Sequence, residues 1–134
     1  MIINLLSCTQ KGGSALYTVE FYRDKDGYSE VEEYLKELNE KANDSKDSRI
    51  NFDTIIRYIR ALSIYGTRIG EPKVKHLEGD LWELRPLNNR IFFFYWKDNK
   101  FVLLSHFKKK SQKTPKREKE KAKRNMSDWK ERKS

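Results

Sequence analysis

The stretch from Leu81 to Lys108 leaves this chain little choice of fold. Leu81-Trp82-Glu83-Leu84-Arg85 alternates at the strand period of two, and Arg90 to Lys97 carries the apolar block Ile91-Phe92-Phe93-Phe94-Tyr95-Trp96. Lys100 to Lys108 follows after Asp98-Asn99. Short aromatic and β-branched runs between turn residues read as strands. Asp and Asn both tolerate positive φ, so Asp98-Asn99 predicts a type I′ hairpin. The unbroken apolar block reads as the core of a central strand, or as stacking surface for bases. Upstream, the segment from Val74 reads as a further strand turning at Glu78-Gly79-Asp80.

The N-terminal half supplies what covers this meander. Tyr17 to Tyr22 alternates as a strand, with Tyr17, Val19 and Phe21 on one face. After the turn residues Asp24 to Gly27, Ser29-Glu30-Val31-Glu32 predicts a capping box and a helix with Val31, Tyr34, Leu35, Leu38 and Ala42 inward. A polar loop over residues 43–48 leads to a second amphipathic helix that turns Phe52, Ile55, Ile56, Ile59 and Leu62 inward, sets Arg57 and Arg60 outward, and ends near Gly66. Thr114-Pro115 predicts the start of a last helix, polar nearly all round, with Ala122, Met126 and Trp129 as its apolar stripe. So small a stripe predicts a helix that docks lightly, and a sheet that stays folded without it. The expected fold is α+β: an antiparallel sheet of about four strands, an N-terminal helical pair on one face and a basic C-terminal helix. Residues 1–16 read as an extension, 17–114 as the domain and 115–134 as a basic tail. The second sheet face is expected to lie open to a ligand.

Charge says what that ligand is. Residues 1–107 hold 16 Lys and Arg against 16 Asp and Glu, whereas residues 108–134 hold 13 against 4, so the whole net charge of +9 sits at the C-terminal end. A neutral body with a cationic edge points to a polyanion, nucleic acid first. One cysteine, Cys8, excludes an internal disulfide, and with His76 and His106 alone it cannot build a zinc site. No cofactor is expected. The chain has no apolar run of membrane-spanning length, and no basic residue precedes the lipoprotein-like Leu5-Leu6-Ser7-Cys8. A cytoplasmic protein is the expectation.

Period two predicts that Lys75, Arg85, His106 and Lys108 share the open face. Cations with one titratable imidazole are what RNA backbone cleavage needs. A base takes the 2′-OH proton, cations hold the phosphate's growing charge, and an acid protonates the 5′-oxygen. Each residue also has a plainer reading. Arg85 would be a solvated charge without a packing role, Lys73 and Lys75 edge lysines that block aggregation, and His106 a packed ring beside Phe107.

The set Lys75-His76-Leu77, Leu81-Trp82-Glu83-Leu84-Arg85, Arg90-Ile91, Leu103-Leu104-Ser105-His106-Phe107-Lys108-Lys109-Lys110 and Lys113-Thr114-Pro115 resembles the RelE/ParE superfamily of bacterial toxins, in its HigB branch, sometimes called phage-derived. The resemblance spans about residues 17–124. It implies a small α+β fold, cleavage of messenger RNA on the ribosome, and a HigA-like helix-turn-helix antitoxin in a heteromeric complex. Relatives work with basic residues and a variable His, Tyr or Asp; the Tyr that several carry near the position of Lys108 has no counterpart here. On this reading Arg85 stabilises the transition state, Lys108 or Lys75 assists deprotonation, and His106 is the acid. Lys73, Arg90, Lys109, Lys110 and Lys113 bind RNA, and no metal takes part. The rival readings are a ParE-like inhibitor of DNA gyrase and a non-catalytic RNA- or ribosome-binding module.

Overall fold

The computed structural model describes residues 16–133. The expected N-terminal extension therefore lies, except for Leu16, outside the described residues. In chain order the elements are β1 (Thr18–Phe21), α1 (Glu30–Lys41), α2 (Lys46–Tyr65), a short 3₁₀ turn (Gly66–Ile69), β2 (Val74–Glu78), β3 (Leu81–Leu84), β4 (Asn89–Tyr95), β5 (Lys100–Lys108) and α3 (Lys116–Lys133). The sheet has five strands in the order β1-β5-β4-β3-β2. Every pairing is antiparallel except β1 with β5, which is parallel; the helical pair carries the chain from β1 at one edge to β2 at the other.

The helices form where their apolar periods and caps coincide. Ser29 Oγ accepts from the Glu32 backbone N–H at 3.1 Å, so half of the expected capping box is present. The other half is not: the Glu32 carboxylate takes Arg23 at 2.7 Å instead of returning to the cap. α2 starts earlier than its sequence suggests, because Ser45 caps it by accepting from Ser48 N–H at 3.1 Å. Val31, Leu35, Leu38, Phe52, Ile55, Ile56, Ile59 and Leu62 pack with Val19, Phe21, Leu84, Ile91, Phe93 and Leu103 into one core. The hairpin between β4 and β5 has φ of 56° at Asp98 and 57° at Asn99, both in the left-handed region a type I′ turn requires.

The second sheet face is not open. α3 lies across it, and Ala122 and Trp129 are buried against Leu81, Phe92, Phe94, Val102 and Leu104, with Met126 beside them. The stripe Ala122, Met126 and Trp129 is the contacting stripe, as its i, i+4, i+7 spacing predicts. Polar contacts fix what the small stripe leaves loose. Tyr22 Oη donates to Asp128 at 2.6 Å, Lys121 Nζ to Glu30 at 2.8 Å, and Lys130 Nζ to Asp80 at 3.0 Å. Burial and then Asp128 push the Tyr22 phenol up to about 12. The apolar block of β4 explains the arrangement: Phe93 faces the helical pair and Phe92 and Phe94 face α3, so both faces demand a cover. Among the described residues no helix is long and apolar enough to cross a membrane.

Candidate active site

Where α3 leaves the sheet near its N-terminal end, a cleft of about 840 Å³ remains between β2, β3, residues 111–115 and the first turns of α3. Its walls include Lys75, Glu83, Arg85, Lys113, Lys116 and Lys119. Lys75 pairs with Glu83 in the β2–β3 register, so both point to the α3 side of the sheet. Arg85 follows β3 by one residue, tied through its backbone N–H to Lys73 O at 2.9 Å.

Glu83 organises the floor. Its side chain is 1% exposed, with Oε1 3.5 Å from Arg85 Nε and Oε2 accepting from Thr114 Oγ1 at 3.2 Å. A buried carboxylate is tolerable only when paired, and Arg85 and Thr114 do the pairing. Thr114 therefore spends its hydroxyl on β3 rather than on capping α3, whose first turn is closed by Glu118 and Lys119 N–H bonds to Pro115 O. Around this buried anion the cations are in excess. Lys119 and Lys123 meet Glu78, while Lys75, Lys113 and Lys116 have no carboxylate partner among the described residues.

Two of the four residues expected on this face lie on the other. β5 carries a bulge: Phe92 pairs with Ser105 and Phe93 with Leu103, so Leu104 is an extra residue. One inserted residue inverts the alternation beyond it. His106, opposite Ile91, and Lys108, opposite Asn89, consequently face the helical pair rather than α3. The carbonyl of Leu104 is taken by Asn125 Nδ2 at 2.9 Å, which ties the bulge to α3.

His106 stacks on Tyr34 with ring centroids 3.7 Å apart. Its Nε2 lies 3.1 Å from Asn89 Oδ1, which also accepts from Tyr34 Oη at 2.8 Å. Asn89 Nδ2 donates to Asn51 Oδ1 and to Pro86 O, an obligate acceptor, so the amide orientation is fixed. Oδ1 can then only accept, and Nε2 of His106 must carry the hydrogen. Burial, then the cations Lys108 and Lys121, pull the imidazole down to about 4. At neutral pH the ring is uncharged and packed.

The other sequence-derived residues scatter around the rim. Lys73 points toward α2, with Nζ 5.7 Å from the Tyr58 ring centroid. Arg90 is 6% exposed and its Nη1 donates to Leu87 O at 2.9 Å and Asn89 O at 2.8 Å. Burial and the neighbouring Arg85 hold its pKa below the usual arginine value. Lys109 N–H donates to Asn88 O at 2.7 Å, and Lys110 lines a smaller hollow beside Phe107 and Arg117. Glu83, Thr114, Lys116 and Lys119 are the cleft residues that sequence reasoning missed. The spacing of Lys116, Lys119 and Lys123 along α3 was a usable signal, since it marks one helix face beside the apolar stripe.

A five-stranded sheet held between a helical pair and a basic helix, with a cationic cleft at its edge, defines a small α+β protein. Residues 33–127 match the family described as phage-derived protein Gp49-like (DUF891), and the chain belongs to that family, which is of the RelE/HigB-like toxin type. No curated protein matches the chain.

Proposed function

We propose that this protein is the toxin of a type II toxin–antitoxin system, an endoribonuclease that cuts messenger RNA on the ribosome. The observation that carries the reading is the placement of Arg85: paired with a buried carboxylate in a cleft where Lys75, Lys113 and Lys116 have no carboxylate partner among the described residues. A guanidinium paired with a buried carboxylate, beside lysines without carboxylate partners, suits the developing dianionic phosphate of 2′-OH attack, where preorganised charge contributes most. In that reaction the 2′-oxygen bonds to phosphorus, the 5′-oxygen leaves with a proton, and a 2′,3′-cyclic phosphate remains. The cleft's own cations supply the charge that a metal ion otherwise would.

The roles within the site differ from those read from sequence. On this reading Lys75 takes the 2′-hydroxyl proton, and Lys113 and Lys116 donate from their ammonium groups to the phosphate and the leaving 5′-oxygen. His106 acts through Asn89 and Tyr34, holding the β3–β4 turn rather than delivering a proton. A HigA-like helix-turn-helix antitoxin is the expected partner, covering the cationic cleft. Expression of the chain alone tests the proposal: growth should arrest, and transcripts should acquire cuts that vanish when translation is blocked. Intact transcripts together with inhibited supercoiling would instead assign the protein as a gyrase inhibitor.

A further inference from the structure

We infer that Leu87 is a fixed apolar wedge that separates two stacked bases of the RNA strand held in the cleft. Leu87 sits at the tip of the β3–β4 turn with φ of 58°, and it is 50% exposed. The left-handed region is unfavourable for a branched side chain, and glycine or asparagine ordinarily fills it. Here a leucine fills it without burying itself, although Asn88 stands next in the chain. Strain of this kind persists only where the surroundings over-determine the backbone, and such positions cluster at functional sites.

The surroundings do over-determine it. Leu87 O accepts from the buried Arg90 guanidinium at 2.9 Å, and Asn89 N–H donates to Pro86 O at 3.0 Å. Asn89 Nδ2 donates to the same Pro86 oxygen at 3.2 Å, and Lys109 N–H closes on Asn88 O at 2.7 Å. The turn is therefore clamped from both sides and presents one apolar side chain to solvent.

What it meets follows from its neighbours. Arg85, two residues back, lines the cleft, while Lys108 ends β5 and Lys109 and Lys110 follow it on the other side of the clamp. An apolar tip flanked by cations complements a ligand with flat apolar faces strung between anions, as in a single nucleic-acid strand. Leucine is among the side chains that nucleic-acid-binding proteins drive between base steps. Opening a base step at the scissile position would also turn the 2′-oxygen toward line with the leaving 5′-oxygen. The inference rests on the reading of the cleft as an RNA site and adds the device that shapes the strand there.

A 2′-O-methyl RNA oligonucleotide carrying 2-aminopurine tests it, since it cannot be cut and its fluorescence rises when the base unstacks. The wild-type protein should raise the signal severalfold on binding. Leu87→Gly should bind with Kd within about threefold, because phosphate contacts remain, but lose most of the rise. Leu87→Met should keep it. The thermal midpoint of Leu87→Gly should equal or exceed the wild type's, because glycine accepts this φ freely. An undiminished rise in Leu87→Gly, or a lowered midpoint showing that Leu87 packs, overturns the wedge and leaves the nuclease reading standing. Failure of the wild-type protein to bind the oligonucleotide either free or seated on the ribosome overturns both.

Discussion

Glu83 and Arg85 lie two residues apart on one face of the sheet, the carboxylate 1% exposed and its Oε1 3.5 Å from the guanidinium Nε. The pair couples fold to chemistry, because the charge that would hold a phosphate also compensates a buried anion. Arg85 consequently has a packing role that an outward strand arginine would lack.

Replacing Arg85 by Ala should lower cleavage by on the order of 10²-fold or more, the usual cost of losing one donor to a developing oxyanion. It should also destabilise the fold by about 1–3 kcal/mol, since Glu83 keeps only Thr114 as a partner. The double variant Arg85→Ala/Glu83→Gln separates the two effects. Its denaturant midpoint should recover while activity stays lost; recovery of activity with the midpoint would show that Arg85 serves stability alone.

His106 gives a pH dependence of defined sign. Its folded pKa of about 4 lies below the unfolded value near 6.5, so between these values the unfolded chain binds more protons. Stability from the buried neutral ring is fully present above about pH 6.5 and is lost as pH falls toward 4. Urea midpoints measured at pH 7 and pH 4.5 should differ more for the wild type than for His106→Gln. Cleavage rates between pH 5 and 7 should show no ionisation that the His106→Gln variant removes. An ionisation near pH 6.5 that disappears in that variant would restore the ring as a proton donor.

Much of this architecture was legible because local signals agreed with the global fold. Ser29, the apolar spacing of α1 and α2, the Glu78-Gly79-Asp80 turn and the Asp98-Asn99 hairpin each specify one local conformation, and the sheet assembles from them. Two features escaped. The bulge at Leu104 has no proline, glycine or charge to mark it, yet it moves His106 and Lys108 to the opposite face and divides the expected site. The cover provided by α3 escaped because its apolar stripe is short, while the demand for a cover resides in Phe92 and Phe94 of another element. Arg85 and Lys75 were placed together correctly because no bulge intervenes between Lys75 and its partner Glu83.

α3 should be indispensable to the fold rather than a removable tail. Trp129 is 4% exposed and meets Trp96 edge-on at 6.3 Å. Trp129→Ala should cost about 3–5 kcal/mol, the range for emptying a buried aromatic site. Deleting residues 116–134 would uncover Phe92, Phe94, Val102 and Leu104 together, a contiguous apolar patch of the kind that drives aggregation. The truncated chain should bind the dye ANS strongly and elute as aggregate. A monomeric truncation with the wild-type denaturant midpoint would show that the sheet does not need this cover.

Salt dependence should distinguish the cations that contact phosphate from those that hold the fold. Lys113 and Lys116 line the cleft without a carboxylate partner among the described residues, whereas Lys119 and Lys123 are engaged with Glu78. Their pairing holds the Glu78 carboxyl below its usual range, with Lys123 the larger influence. A phosphate must displace Glu78 to reach those two lysines, so they should add little to counterion release. Each free lysine that meets a single-stranded phosphate should contribute about 0.7 to the slope of log K against log salt. Lys113→Ala and Lys116→Ala should each reduce the slope for RNA binding by about that amount, and together by about twice it. Lys123→Ala should leave the slope nearly unchanged while lowering the thermal midpoint slightly. The opposite order, with Lys123 setting the slope, would place the RNA across the β2–β3 turn and outside the cleft that holds Arg85.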